Sequence, residues 1–225
     1  MQLGVIFVSN NVLILGPSGS GKSTSIRTLD SESTYILNVL GKPLPFRGYK
    51  KKYNLDQKNY YETDDWTRVV KCIQVVNLEK PHIKTLVIDD LQHVLSNEFM
   101  RRIGERGFDK FNDFAFHFWK IIMEAKDTRD DLVCVFMIHN EIDDTGMSKV
   151  KTVGKLTDKT VSPDSTFTTI LHSNVRDGEY SFITQNDGFH LAKSPIGMFE
   201  EKNIPNDLKF VRDTITNYFN DGEDE

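Results

Sequence analysis

The string Gly16-Pro-Ser-Gly-Ser-Gly-Lys-Ser23 follows directly on the short apolar run Val12-Leu-Ile-Leu15, and it narrows the possible folds more than any other feature of the chain. It satisfies the pattern G-x-x-x-x-G-K-[S/T] at every position. An apolar run that stops at a glycine-rich turn and gives way to a helix-compatible stretch from Lys22 reads as a strand–loop–helix unit. Such a unit belongs in an α/β layer architecture. Glycines let backbone N–H groups turn inward with no side chain in the way. The N-terminus of the following helix adds its dipole, so the concavity suits phosphate oxygens. Gly16, Pro17, Ser18, Gly19, Ser20, Gly21, Lys22, Ser23 and Thr24 are therefore the expected nucleotide-binding residues. In that arrangement Lys22 reaches the β- and γ-phosphates and the Ser23 hydroxyl coordinates Mg²⁺.

The rest of the chain supplies the layers. Tyr35–Val39, Thr85–Ile88 and Leu132–Ile138 read as buried strands, and helical periodicity runs from Trp66 through Val76. Helical material from Leu91 to Lys126 is expected to break near Gly104 and Gly107. On its second half Phe111, Phe114, Phe118, Ile121 and Ile122 share one face and should pack on the sheet, leaving Phe116 and Trp119 for a neighbouring subunit. Phe167–Val175 and Tyr180–Thr184, joined at Asp177-Gly178, read as an antiparallel hairpin at one edge, and residues 207–219 as a last helix. The polar, tyrosine-rich stretch 46–63 reads as an excursion rather than core. One domain over residues 1–220, followed by an acidic tail at 221–225, fits this organisation best.

A nucleotide loop of this kind needs an acidic residue at the end of another buried strand, and Thr85-Leu-Val-Ile-Asp-Asp90 supplies it. Asp89 is the natural Mg²⁺ partner. Asp90 fits either a base or water-orienting role or the N-cap of the helix beginning at Leu91. His139 ends the fourth strand, where a γ-phosphate sensor would sit if that strand lies between the first and third; a satisfied polar strand end is the other reading. Lys22, Asp89, Asp90 and His139 are thus the catalytic candidates. Guanine specificity is not expected. Asn140-Glu-Ile-Asp143 has Glu141 where a guanine-reading motif needs lysine, and Asp89-Asp-Leu-Gln92 lacks the glycine of D-x-x-G. ATP is the expected nucleotide.

Net charge is −5 over 225 residues, which at first sight argues against a nucleic-acid partner. Yet Asp221, Glu223, Asp224 and Glu225 carry most of it, leaving the rest of the chain close to neutral. Positive charge gathers in two stretches: Arg47, Lys50, Lys51 and Lys52 among Tyr49 and Tyr53, and Lys149, Lys151 and Lys155 in a glycine-punctuated segment. Cationic and aromatic side chains together suit single-stranded nucleic acid, although solvated loops have the same composition. Arg101, Arg102, Arg176 and Lys193 are candidates for completing a neighbour's ATP site. Cys72 and Cys134 each sit in apolar runs without metal-ligand spacing and read as buried thiols of a reducing compartment. Met1–Val8 lacks the basic region of a signal peptide, and no apolar run reaches about 18 residues, so a cytoplasmic protein is expected.

Longer strings carry a likeness. GPSGSGKS, NVLGKPLPFRGYKKKY, TLVIDDLQHVLSNEFMRR, DKFNDFAFHFWKII and AKSPIGMFE together resemble a group of phage-encoded, AAA-type P-loop ATP-binding proteins with a RecA-like core, a group that includes single-strand annealing and recombination proteins. The likeness spans roughly residues 12–219. It implies Mg·ATP at Gly16–Ser23 and Asp89, a homo-oligomer, and single-stranded DNA as partner in phage recombination or replication inside an infected cell. Phage recombination or single-strand-binding proteins are further implied partners. One departure stands out: RecA-type ATPases carry a glutamate just after the second strand, whereas this chain reads Asn38-Val39-Leu40. A small-molecule kinase and a non-catalytic, ATP-switched adaptor are the rival expectations.

Overall fold

The apolar runs become the strands of one sheet, and the polar intervals become its helices and loops. The computed structural model describes residues 10–107, 109–152 and 163–220; Lys155, residues 1–9 and the 221–225 tail lie outside them. In chain order the elements are β1 (Val12–Gly16), a 3-10 helix (Ser23–Thr28), β2 (Thr34–Asn38), α1 (Tyr49–Lys52), β3 (Tyr60–Glu62), α2 (Trp66–Glu79), β4 (Thr85–Asp89) and α3 (Gln92–Arg101). There follow α4 (Asp109–Lys126), β5 (Val133–Ile142), β6 (Ser148–Val150), α5 (Pro163–Thr166), β7 (Thr169–Arg176), β8 (Glu179–Ile183), β9 (Asn203–Pro205) and α6 (Leu208–Asn220).

The strand order is β3-β2-β4-β5-β1-β7-β8-β9, parallel from β3 to β7 and antiparallel beyond. Central strands covered on both faces must be apolar throughout, and every residue of β1 and β4 is buried. Alternate side chains feed two cores. Leu13, Leu15, Leu86 and Ile88 meet α2 and α4 through Val69, Ile73, Phe114, Phe118 and Ile121. Val12, Ile14, Val87 and Val135 meet the 3-10 helix and α6 through Ile26, Leu208, Val211 and Ile215. The chain crosses from β1 to β2 in one direction along the sheet and from β2 through β4 to β5 in the other. Right-handed crossovers then place their helices on opposite faces, which opens a crevice at the C-terminal end of β1.

The expected α/β class, mostly parallel sheet, flanking helices and antiparallel edge hairpin are all present. Asp177 and Gly178 both take positive φ (54° and 83°), the geometry of a two-residue hairpin turn between β7 and β8. On α4 Phe114, Phe118, Ile121 and Ile122 are buried as their spacing requires and Phe111 is partly buried, while Phe116 and Trp119 stay exposed. Both cysteines are buried and free. Among the described residues no helix is long and apolar enough to cross a membrane.

Three expectations need correction. The stretch 46–63 is not simply an excursion, because Tyr53 is buried and Tyr60–Glu62 forms the parallel edge strand β3. The helix after the glycine loop is a six-residue 3-10 turn rather than an α-helix. Its hydroxyls bond back to the main chain, Ser25 Oγ to the Lys22 carbonyl at 2.5 Å and Thr28 Oγ1 to the Ser25 carbonyl at 3.0 Å, and such bonds compete with α-helix continuation. Asp90 is not the N-cap of α3. That position falls on Leu91, and no side chain caps it.

Candidate functional site

The glycine loop leaves β1 and is held open from behind by β7. Ser20 Oγ lies 2.5 Å from Ser173 Oγ and donates to the Pro17 carbonyl at 2.8 Å. Ser173 Oγ in turn donates to the Leu15 carbonyl at 3.1 Å, so loop and strand share one anchor. Gly16, Gly19 and Gly21 all take positive φ. A Cβ on Gly16 would lie 2.2 Å from Ser173 Oγ and 2.8 Å from its carbonyl oxygen. Gly16→Ala is therefore expected to lower stability by roughly 1–3 kcal/mol, read as a fall in melting temperature. Removing the Ser173 hydroxyl as well should restore only part of it, because the carbonyl remains. From the far end of the chain, Asn206 Nδ2 donates to the Gly21 carbonyl at 3.1 Å while Arg27 bonds Asn206 Oδ1 at 2.7 Å.

Lys22 is almost wholly buried inside the loop, donating to the carbonyls of Gly16 at 2.6 Å and Pro17 at 2.8 Å. Burial draws its ammonium down to about 8, against the opposing pull of Asp90 and Asp89. It remains mainly charged at neutral pH. Ser23 Oγ donates to Asp89 Oδ1 at 2.9 Å, which brings the two expected metal contacts together at the end of β4.

Asp89 and Asp90 are neighbours in sequence with opposite electrostatics. Burial, then the charge of Asp90, pushes the Asp89 carboxyl up to about 6 despite the Ser23 hydroxyl. Burial alone would raise Asp90 too, but hydrogen bonds from His139 and Lys42 and their charges hold it far below the usual carboxylate range. Asp90 sits at φ 61°. Its Oδ1 is 3.2 Å from His139 Nε2 and its Oδ2 is 2.5 Å from Lys42 Nζ. β5 lies between β1 and β4, the condition set for a sensor at its end, and in register His139 stands beside Gly16. The His139 N–H donates to Gln92 Oε1 at 3.2 Å, which ties β5 to α3.

An open cleft of about 240 Å³ has Ser18, Gly19, Gly21, Lys22, Ser23, Thr24, Lys42, Pro45, Asp90, His139 and Tyr180 in its walls, with Asp89 buried behind Ser23. No family model matches this chain, and no curated protein matches it. The geometry of the cleft is therefore what bears on function.

Five contributors carried no sequence signal for a site. Lys42 follows a strand end and precedes two prolines, Gln92 opens a helix, Ser173 lies inside β7, Tyr180 sits in the edge hairpin, and Asn206 precedes α6. Of the basic candidates, Arg47, Lys50, Lys51 and Lys52 are exposed on and before α1, and Lys151 is exposed at the end of the β5–β6 hairpin. Lys149 is paired with Glu141 at 2.9 Å. Arg101 is engaged by Asp64, and Arg102 by Glu98, Glu105 and Asp113, so the chain itself satisfies both. Arg176 is exposed near Asp177, and Lys193 is bridged through its backbone to Ile170. None of these four is among the described residues lining the cleft. Asp143, half of the apparent guanine-reading string, instead organises the β5–β6 turn by accepting from Thr145 and Met147.

Proposed function

We propose that the protein binds ATP with Mg²⁺ in this cleft and hydrolyses it, on a RecA-like P-loop core. The observation that carries the reading is the 2.9 Å contact between Ser23 Oγ and Asp89 at the mouth of a glycine loop whose lysine points inward. The loop's N–H groups and Lys22 would hold the phosphate chain, Lys22 exchanging two carbonyl acceptors for phosphate oxygens. Ser23 and Asp89 would hold Mg²⁺, directly or through water. Among the described residues no group of three or more His, Cys, Asp or Glu side chains could hold a metal alone. Mg²⁺ takes one or two protein ligands plus waters and substrate phosphates, and Ser23 and Asp89 would supply two. When bound, the ion would supply positive charge to offset the charge that develops on the phosphates. Asp90, kept ionised and oriented by His139, is the group placed to accept a proton from water. Asn38, where a RecA-type glutamate is expected, is buried with its amide donating to the Lys42 carbonyl and Tyr60 Oη. It is therefore not a base.

We further propose single-stranded DNA as the partner and a homo-oligomer as the working form, in phage recombination or replication. Support for the DNA comes from the exposed cations of α1 beside Tyr49, together with Lys151. Support for the oligomer comes from Phe116 and Trp119, exposed side by side with ring centroids 6.1 Å apart. The deciding experiment is phosphate release titrated with single- and double-stranded oligonucleotides. Mg²⁺-dependent release, accelerated by single strands and suppressed by salt, is the expected result. Tight ATP binding without release would convert the reading to an ATP-switched adaptor, and a phosphorylated acceptor would convert it to a kinase.

Acidity gives an independent check. Asp89 must be ionised to serve a cation, so Mg²⁺-dependent nucleotide affinity should fall as pH drops through about 6. The apo fold should respond in the opposite sense. A carboxyl raised in the folded state binds protons that the unfolded chain does not, so its contribution to stability improves as pH falls from about 6 toward 4. Titrating affinity and melting temperature over the same pH range separates the two effects.

A further inference from the structure

Lys42 is the second cation of the cleft, and its setting is unusual: a fixed root and a free shaft. Its carbonyl accepts from the buried Asn38 amide at 2.7 Å. Gly41 just before it takes φ 64°, and a Cβ there would meet Glu62 at 2.9 Å. Pro43 follows it directly, and Leu44, the next residue, is buried between Pro43 and Pro45. The backbone is thus held on both sides of the lysine. The side chain is 58% exposed, and its ammonium lies 2.5 Å from Asp90, which is only 4% exposed. Lys42 also lines the same cleft wall system as Ser18, Gly19, Lys22 and Ser23.

This contact occupies the carboxylate best placed to act on water. An ammonium at 2.5 Å, with His139 on the other oxygen, leaves Asp90 a poor proton acceptor. A triphosphate in the cleft would offer the same ammonium several charged oxygens instead of one. An anchored Cα with a four-carbon stem can turn from one acceptor to another without moving the loop.

We propose that Lys42 is a phosphate-contacting residue acting in cis, exchanging Asp90 for the terminal phosphate of bound nucleotide, and that this exchange frees Asp90 for the hydrolytic step. The proposal rests on the ATP reading above. With Lys42 on the γ-phosphoryl oxygens, a water oxygen bonds to the γ-phosphorus. The bond from that phosphorus to the β,γ-bridging oxygen breaks, its electron pair staying on the diphosphate, and the water proton passes to Asp90. Lys42 offsets the charge spread over the γ-phosphoryl oxygens, the task that an arginine finger performs elsewhere. A diphosphate offers nothing at that position, so Lys42 stays on Asp90 and the cleft is silent.

The test compares wild type, Lys42→Ala, Lys42→Arg and Lys22→Ala for binding of MgADP and of a non-hydrolysable Mg-triphosphate, and for single-turnover hydrolysis of ATP. Lys42→Ala is expected to weaken the triphosphate about 10- to 100-fold with MgADP affinity unchanged, to lower the melting temperature because Asp90 loses its partner, and to slow hydrolysis more than 10-fold. Lys42→Arg should recover part of each. Unchanged triphosphate affinity, an equal loss for both nucleotides, or faster hydrolysis in Lys42→Ala would overturn the proposal while leaving the nucleotide site standing. Failure of wild type to bind either nucleotide, with Lys22→Ala no different, would instead remove the ATP reading itself.

Discussion

Lys22→Ala is expected to reduce ATP affinity at least about 100-fold while the melting temperature changes little. The size of the binding loss follows from charge: an ammonium inside a ring of N–H donors makes charge-assisted bonds to phosphate that a methyl group cannot replace. The near-neutral effect on the fold follows from two opposing terms. The variant loses the bonds to the Gly16 and Pro17 carbonyls, but it also removes an ammonium that burial has drawn down to about 8. Pro17 keeps Ser20 as a donor. Equilibrium binding of a fluorescent ATP analogue beside a thermal melt measures both quantities. Undiminished affinity would remove the assignment of the loop.

Asp89→Asn should separate function from stability in the opposite direction. Binding and turnover are expected to lose their dependence on Mg²⁺, turnover falling at least about 100-fold. The apo protein should nevertheless melt higher. Asp89 is a fully buried carboxyl that its surroundings push up to about 6, so at neutral pH its ionised form burdens the fold by on the order of 2–3 kcal/mol. The asparagine carries no charge and still accepts from the Ser23 hydroxyl. Each kcal/mol recovered raises the midpoint of a chain this size by about 2–4 °C. A variant that is both less stable and fully Mg²⁺-dependent would show that Asp89 serves packing alone. A residue that costs the fold something and is kept at a strand end beside a glycine loop is what a stability–function trade-off looks like.

The parts of this site that could be read in advance are those whose physics is local. A glycine-rich turn after an apolar run, an aspartate closing a buried strand and a two-residue hairpin turn each declare themselves within a few residues. The expected place of His139 held in part: β5 does lie between β1 and β4, but the strand runs on to Ile142, so His139 lies within it rather than at its end. What stayed hidden is assembled from a distance. Ser173, Tyr180 and Asn206 reach the loop only after the sheet has formed, and nothing in their own neighbourhoods distinguishes them from ordinary polar or edge residues. β3 has three residues with none buried, so no burial pattern marks it. Asp90 was ambiguous because a polar residue before a helix normally caps it. Its left-handed backbone turns the carboxylate toward Lys42 and His139 instead.

The position of β1 sets a timetable for the molecule. Residue 12 pairs with residue 135 on one side and residue 169 on the other, and the loop that follows is fastened by residues 173 and 206. The glycine loop is thus completed only by segments that lie far downstream of it in the chain. Contacts this far apart in the chain make for slow folding, and until they close the central strand has two bare edges. A chain interrupted between Ser23 and Asn206 would carry the whole glycine-rich string and still lack the clamp that shapes it.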